Sequence, residues 1–276
     1  MVSIKSDSSV ESKGYPNESN VLTSLVRDHI KLLWLQGQGC SGCTVSLLQA
    51  EFPGVVDILL SNIPFNKVNL EYHPTIMFLW GEKALELIAK PPQNFILIVE
   101  GAIPTRDGGI HCLIQISNDR PTTLLDYIKN LASKALAVIA VGTCASFGGI
   151  PKASPNPTDA KSVADVLGQD YKSKLGLPVI NIPGCPPHPD WIIGTLTNVL
   201  LFIEGKAPPL QLDKYNRPII FFNKTIHENC HRAGYFSEGE FAKKFGEKGC
   251  LFLLGCKGPV AYGDCVERKW NGRVNA

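Results

Sequence analysis

Cysteine placement constrains this chain more than any other feature. Three apolar segments of strand length, Lys31–Gln36, Leu136–Val141 and Leu177–Ile182, each run directly into a loop that carries cysteine. The loops are Gly37-Gln38-Gly39-Cys40-Ser41-Gly42-Cys43, then Gly142-Thr143-Cys144, then Pro183-Gly184-Cys185-Pro186-Pro187. Val55–Leu60, Thr75–Trp80 and Asn94–Glu100 are further strand candidates. Between the strands lie helical stretches: Thr44–Glu51, Glu82–Lys90 (stopped by Pro91-Pro92), Thr122–Ala135 with Leu124, Leu125, Ile128 and Leu131 at helical spacing, and Trp191–Glu204. Apolar strands alternating with helices predict an α/β fold with a largely parallel sheet covered on both faces. Ligands of such sheets sit outside the carboxyl ends of the strands. Cys40, Cys43, Cys144 and Cys185 are therefore expected to meet at one sheet edge, although they are far apart in sequence.

The texture changes near Pro208-Pro209, and little strand–helix alternation follows Phe222. Residues 1–30 read as a disordered N-terminal extension, 31–206 as the sheet domain, and 207–276 as a small, irregular second domain. The last holds His227, Cys230, His231, Cys250, Cys256 and Cys265. It is too short and polar for a large core, so metal ligation is expected to help it fold.

A net charge of +2 over 276 residues argues against nucleic-acid binding, which needs a strongly basic face. No apolar run approaches the ~18 residues of a membrane span, so no transmembrane segment is expected. Met1–Asn20 has neither an apolar segment nor a twin-arginine pair. The expected location is the cytoplasm, including the cytoplasmic face of the membrane, unless a partner's export signal carries the chain across. In that setting nine cysteines point to metal binding rather than disulfides.

Four thiolates suit a cubane iron–sulfur cluster. Glycines 37, 39 and 42 let the loop bend and aim amides at sulfur. A structural zinc site usually shows two C-x-x-C or Cys/His pairs, whereas the sheet domain has one. A thioredoxin-like dithiol would leave Cys144 and Cys185 unexplained. Haem attachment needs histidine after the second cysteine, where Thr44 stands. Gly37-x-Gly39 lacks the third glycine of the dinucleotide fingerprint, and there is no P-loop. In the second domain, His227-x-x-Cys230 with Cys250 and Cys256 offers one imidazole and three thiolates; His231 is the competing imidazole.

The strings GCSGCTVSLL (39–48), VEGAIP (99–104), GTCASFGG (142–149) and PGCPPHP (183–189) together resemble the small subunit of nickel–iron hydrogenases. The related quinone-reductase subunit of respiratory complex I shares the fold, but adjacent cysteines are expected there in place of Cys40-x-x-Cys43. The resemblance implies a flavodoxin-like, doubly wound domain without flavin. It also implies that Cys40, Cys43, Cys144 and Cys185 hold a proximal 4Fe–4S cluster facing the nickel–iron centre of a partner subunit. Oxygen-tolerant members carry two extra cysteines, and Gly42 and Gly149 stand at the matching places. IHENCHRAGYF (226–236) and CLFLLGCKGP (250–259) resemble the distal motif and imply a 4Fe–4S cluster on His227, Cys230, Cys250 and Cys256. Cys265, with Trp270-Asn271-Gly272, resembles the start of a medial 3Fe–4S motif whose further cysteines do not follow. C-terminal truncation, altered wiring or a second chain would each account for that.

Cys112 matches no motif and reads as a buried structural thiol. Glu100, at a strand end, reads either as a group beside the cluster, including a proton relay, or as a satisfied buried carboxylate. The resemblance implies that no catalytic residue lies in this chain. Its role would be to carry electrons from H2 oxidation in an obligate large subunit to an acceptor protein or a membrane quinone-reducing partner. A hydrogen-sensing subunit and a zinc-stabilised scaffold are the competing readings.

Overall fold

A computed structural model describes residues 30–51, 53–60, 68–117 and 120–269. The N-terminal extension up to residue 29 and Trp270-Asn271-Gly272 lie outside the described residues.

Nine strands occur among the described residues: β1 (Ile30–Gln36), β2 (Val68–Tyr72), β3 (Phe95–Glu100), β4 (Ile103–Pro104), β5 (Leu113–Ser117), β6 (Arg120–Thr123), β7 (Ala137–Val141), β8 (Ala160–Lys161) and β9 (Ile180–Ile182). Five form one parallel sheet in the order β2-β1-β3-β7-β9. This is the flavodoxin-like strand order, with β1 and β3 flanking the switch point. The pairs β4–β8 and β5–β6 are small antiparallel additions.

Alternation along each strand divides the core into two layers. Leu32, Trp34, Ile96, Ile98, Ala137, Ile139, Val141, Ile180 and Ile182 face one layer, closed by the long helix Pro189–Ile203. Leu33, Leu35, Phe95, Leu97, Val99, Val138, Ala140 and Val179 face the other, closed by the helices Gly81–Ala89 and Leu124–Ala132. The latter helix starts at a capping box. Asp126 N donates to Thr123 Oγ1 at 3.2 Å, and Thr123 N donates back to the Asp126 carboxylate at 2.9 Å.

Two strand expectations fail. Val55–Leu60 is a helix, since a short apolar run does not by itself distinguish the two. Thr75–Trp80 is turn and coil, with Phe78 and Trp80 exposed. The strand lies earlier, at Val68–Tyr72, where Asn69 and Glu71 alternate with apolar residues as suits a sheet edge.

The register sets up the site. Gln36 pairs with Glu100, Glu100 with Val141, and Val141 with Ile182. The carboxyl ends of β1, β3, β7 and β9 thus form one row, and every cysteine-bearing loop of the sheet domain that the sequence singled out starts just beyond it.

Phe221 and Phe222 are buried against the sheet's core, with Leu210 and Leu212 partly buried beside them. Beyond residue 222 the chain makes short helices, Ala233–Ser237 and Cys265–Arg268, and a 3-10 turn, Phe252–Leu254. Among the described residues there, Ala242 and Cys250 are the buried hydrophobic ones. This segment docks on the start of the long helix: Trp191 Nε1 donates to Asp264 Oδ1 at 2.6 Å, and Arg268 lies 3.4 Å from Asp190.

Candidate metal centres

The loops beyond the row of strand ends are fastened in pairs. Gln38 N donates to Ala102 O at 2.8 Å and Ala102 N to Gln38 O at 2.9 Å, tying the loop after β1 to the loop after β3. Thr143 N donates to Gly184 O at 2.9 Å and Gly184 N to Thr143 Oγ1 at 3.1 Å, tying the loops after β7 and β9. Ser46 Oγ donates to Pro187 O at 2.6 Å and links the two pairs. Together they bring Cys40, Cys43, Cys144 and Cys185 into one electrostatic neighbourhood. Burial first, then the charge of Glu100 and the three neighbouring thiols, pushes the Cys43 thiol far up. Burial likewise raises Cys144, against a backbone amide from Ile150 that favours its thiolate. Such a group of acids becomes a group of thiolates only with cations among them.

The backbone around the sulfurs leaves no room for side chains. A Cβ at Gly142 (φ +87°) would strike Cys43 Sγ, and one at Gly149 (φ +54°) would lie 2.8 Å from Cys144 Sγ. A Cβ at Gly42 would lie 3.0 Å from Cys40 Sγ. Gly42 and Gly149 thus adjoin sulfur, where the family's additional cysteines were expected to be missing. Among the described residues, no three His, Cys, Asp or Glu side chains are close enough to hold a single metal ion. Four thiols around glycine-lined space, with amides directed at sulfur, fit an iron–sulfur cluster.

Glu100 sits at this edge, buried to 2% exposure. It accepts from Cys43 N (3.1 Å), Thr44 N (3.3 Å), Thr44 Oγ1 (2.5 Å) and Trp34 Nε1 (3.1 Å). Four donors and no acceptor describe a carboxylate anion. The chain continues to His73, whose Nδ1 accepts from Thr75 N (3.1 Å) and Ile76 N (3.4 Å). The ring proton is therefore on Nε2, which donates to Thr44 Oγ1 at 3.4 Å. Burial holds His73 down to about 4, so it is neutral near neutral pH. Glu100 is thus a buried carboxylate with donors on both oxygens, and it adjoins a cysteine of the candidate site. Trp34, Thr44 and His73 were not anticipated. The first two lie next to or within the motifs, while nothing in the sequence marked His73.

The second set is assembled by turns rather than strands. His227 N donates to Gly258 O at 3.1 Å, and Cys230 N to His227 O at 3.1 Å. Cys256 N donates to Leu251 O at 3.2 Å, and Ala242 N to Cys250 O at 2.9 Å. Two sulfurs accept amides here too: Cys230 Sγ from Arg232 N at 3.4 Å, and Cys256 Sγ from Gly258 N at 3.3 Å. The His227 ring meets Phe236 edge-on at 4.8 Å, and Phe236 meets Phe252 at 5.3 Å. His231 is exposed.

Cys265 is half-buried at the start of its short helix. After burial, the charge that raises its thiol is Asp264 and not another cysteine. Cys112 is half-buried rather than buried, packed on the second core layer, with its thiol raised by desolvation.

A family model for the 20 Kd subunit of NADH ubiquinone oxidoreductase matches residues 40–199, and one for the C-terminal part of the NiFe/NiFeSe hydrogenase small subunit matches residues 222–276. The periplasmic NiFeSe hydrogenase small subunit of Desulfomicrobium baculatum is 44% identical over 257 residues, covering 88% of this chain and 78% of that protein. This chain belongs to the nickel–iron hydrogenase small-subunit family. The periplasmic NiFe hydrogenase small subunit 1 of Nitratidesulfovibrio vulgaris is 40% identical over 264 residues, covering 93% of this chain and 77% of the relative. The crystal structure of a reduced, active Ni-Fe-Se hydrogenase from Desulfomicrobium baculatum superposes with a TM-score of 0.80 at 42% identity, covering 90% of each chain. Hydrogenase small subunits are the electron-transferring members of heteromeric enzymes. They carry iron–sulfur clusters and pair with a large subunit that holds the nickel–iron centre. The expected cytoplasmic location is corrected by these relatives, both named as periplasmic. That expectation leaned on the composition of the N-terminus, which does not fix a location that a partner's export signal can set.

Proposed function

We propose that this chain carries electrons between H2 chemistry in its large subunit and an external acceptor, with Cys40, Cys43, Cys144 and Cys185 holding a proximal 4Fe–4S cluster. His227, Cys230, Cys250 and Cys256 hold a distal 4Fe–4S cluster, and Cys265 is one ligand of a medial 3Fe–4S cluster. A periplasmic site of action, as in the two named relatives, is part of this reading. When bound, the clusters supply one-electron redox chemistry. The chain's own residues position sulfur, direct amides at it, and place the fixed charge of Glu100 beside Cys43. The observation that carries the reading is the register of β1, β3, β7 and β9, which supports four thiols meeting at one sheet edge.

Cys40 and Cys185 are exposed, and Val45, Leu48, Phe147 and Ile150 expose apolar surface on the cysteine-bearing loops and the helices that follow them. An apolar rim of this kind suits an obligate interface, here the large subunit over the proximal site. Neither the sensor reading nor the zinc scaffold finds support in the relatives, which are named as enzyme subunits.

The test is anaerobic purification of the complex, with iron, sulfide, nickel and zinc measured alongside EPR. The expected result is about eight iron and eight sulfide from two cubane sites, with nickel in the larger partner and a 3Fe–4S signal if the medial site is completed. A colourless complex with stoichiometric zinc and no sulfide would overturn the proposal.

A further inference from the structure

The loop that carries Cys185 runs straight into the long helix Pro189–Ile203, and the first turn of that helix holds the segment that carries Cys265. His188 caps the helix and is buried to 2% exposure. Its Nδ1 accepts from Asp190 N at 3.1 Å. Its Nε2 lies 2.8 Å from Lys269 O. A carbonyl oxygen only accepts, so Nε2 carries a proton and donates. Trp191 Nε1 donates to Asp264 Oδ1 at 2.6 Å, and its ring lies 3.1 Å from where a Cβ at Gly263 would stand. Arg268 adds to the contact: it donates to Asp264 Oδ2 at 2.6 Å, lies 3.4 Å from Asp190 and stands over the Phe221 ring.

Cys265 thus sits between two fastened points. Asp264 precedes it. Lys269 follows, its amide donating to Cys265 O at 2.9 Å while its carbonyl is held by His188. Lys269 has φ +62° and ψ 145°, a backbone conformation that favours glycine and that lysine keeps only where its surroundings impose it. The hydrogen bond from His188 is placed to impose it. The helix Cys265–Arg268 has four residues, too few to keep its shape without such support.

We propose that His188, with Trp191, is a positioning residue for the medial cluster, holding the Cys265 turn in a fixed place relative to Cys185. His188 stands three residues after Cys185, so one side chain ties together the segments of two candidate ligands. The inference rests on the reading of Cys265 as a medial 3Fe–4S ligand. Helix capping alone accounts for the bond at Nδ1 and leaves the one at Nε2 unexplained.

The test measures the 3Fe–4S EPR signal of the oxidised hydrogenase complex, with iron, sulfide and the cubane signals of the reduced sample alongside. Two variants separate the two ring nitrogens. His188→Asn keeps an acceptor for Asp190 N, so the helix stays capped, but it does not reach Lys269 O; His188→Gln brings an amide NH2 near the place of Nε2. The Asn variant is expected to lose about half or more of the 3Fe–4S signal, since one buried hydrogen bond shifts a local equilibrium severalfold. The Gln variant is expected to retain it, with cubane signals unchanged in both. A full signal in the Asn variant, loss in both variants, or loss of the cubane signals along with it overturns the positioning role. If neither variant assembles, Trp191→Phe decides, because it keeps a ring and removes the donor to Asp264: a lowered 3Fe–4S signal supports the proposal and a full one refutes it. A wild-type complex with cubane signals and no 3Fe–4S signal removes the reading of Cys265, and this inference with it.

Discussion

The carboxylate of Glu100 accepts the backbone amide of Cys43 at 3.1 Å. It does so from within the sheet, as the last residue of a strand whose six residues are all buried. The charge is therefore fixed in place and shielded from water, beside a sulfur of the site.

Glu100→Gln removes the charge and keeps the shape. The proximal cluster's potential is expected to rise, by on the order of tens of millivolts, since losing a fixed negative charge beside a ligand cysteine favours the more negative, reduced cluster. The variant also turns an amide NH2 toward one pair of donors, the amides of Cys43 and Thr44 or the Trp34 indole, leaving a clash of donors worth about 1–3 kcal/mol of stability. Redox titration followed by EPR checks the first effect and thermal melting the second. An unchanged or lowered potential would remove the electrostatic role given to Glu100.

Gly142 and Gly108 both have positive φ, so alanine strains the backbone at either, by about 1 kcal/mol. Only at Gly142 does the new methyl group meet sulfur, whereas Gly108 has open space. Gly142→Ala is expected to yield a complex deficient in proximal iron, and Gly108→Ala one with full iron content. Iron and sulfide analysis of the two proteins distinguishes them.

Cys144→Ala and Cys112→Ala form a second contrast. Both thiols are half-buried and raised by desolvation, but only Cys144 shares its surroundings with other thiols. Loss of about four iron atoms per complex is expected for Cys144→Ala. For Cys112→Ala the expected change is a small stability cost, about 1 kcal/mol, with iron retained. Equal iron loss in both would break the assignment.

His73 sets a pH dependence of its own. Its folded value, held down to about 4 by burial, lies below the unfolded value. The unfolded chain thus takes up the proton first as pH falls. The stability from keeping His73 neutral is full above the unfolded value, near 6.5, and is lost progressively as pH falls toward 4. From pH 7 to 5.5 the loss is about 1 kcal/mol. Melting curves of the complex at both pH values, compared with His73→Gln, should show a shallower slope in the variant.

Much of this arrangement is legible in the sequence because β1, β3, β7 and β9 are covered on both sides and read as mostly apolar runs. The loops that follow them carry the cysteines, so topology alone brings the first four together. The edge strand β2 escapes notice for the opposite reason: with Asn69 and Glu71 in a half-covered strand, Val68–Tyr72 looks polar, while the more apolar Thr75–Trp80 is coil. The second set has no strand topology to gather it, so its four residues are grouped by motif resemblance rather than by geometry. The path from His73 through Thr44 to Glu100 depends on the tertiary meeting of residues 29 and 56 positions apart, and no local pattern encodes it.

The row of strand ends also makes the site depend on the whole sheet. Cys40, Cys43 and Cys144 precede β9, while Cys185 comes to the edge only when β9 pairs with β7. The position of the fourth thiol thus depends on the strand that is last both in the chain and at the sheet's edge. On the proposed ligand set, the four-thiol site is complete only when the sheet is complete.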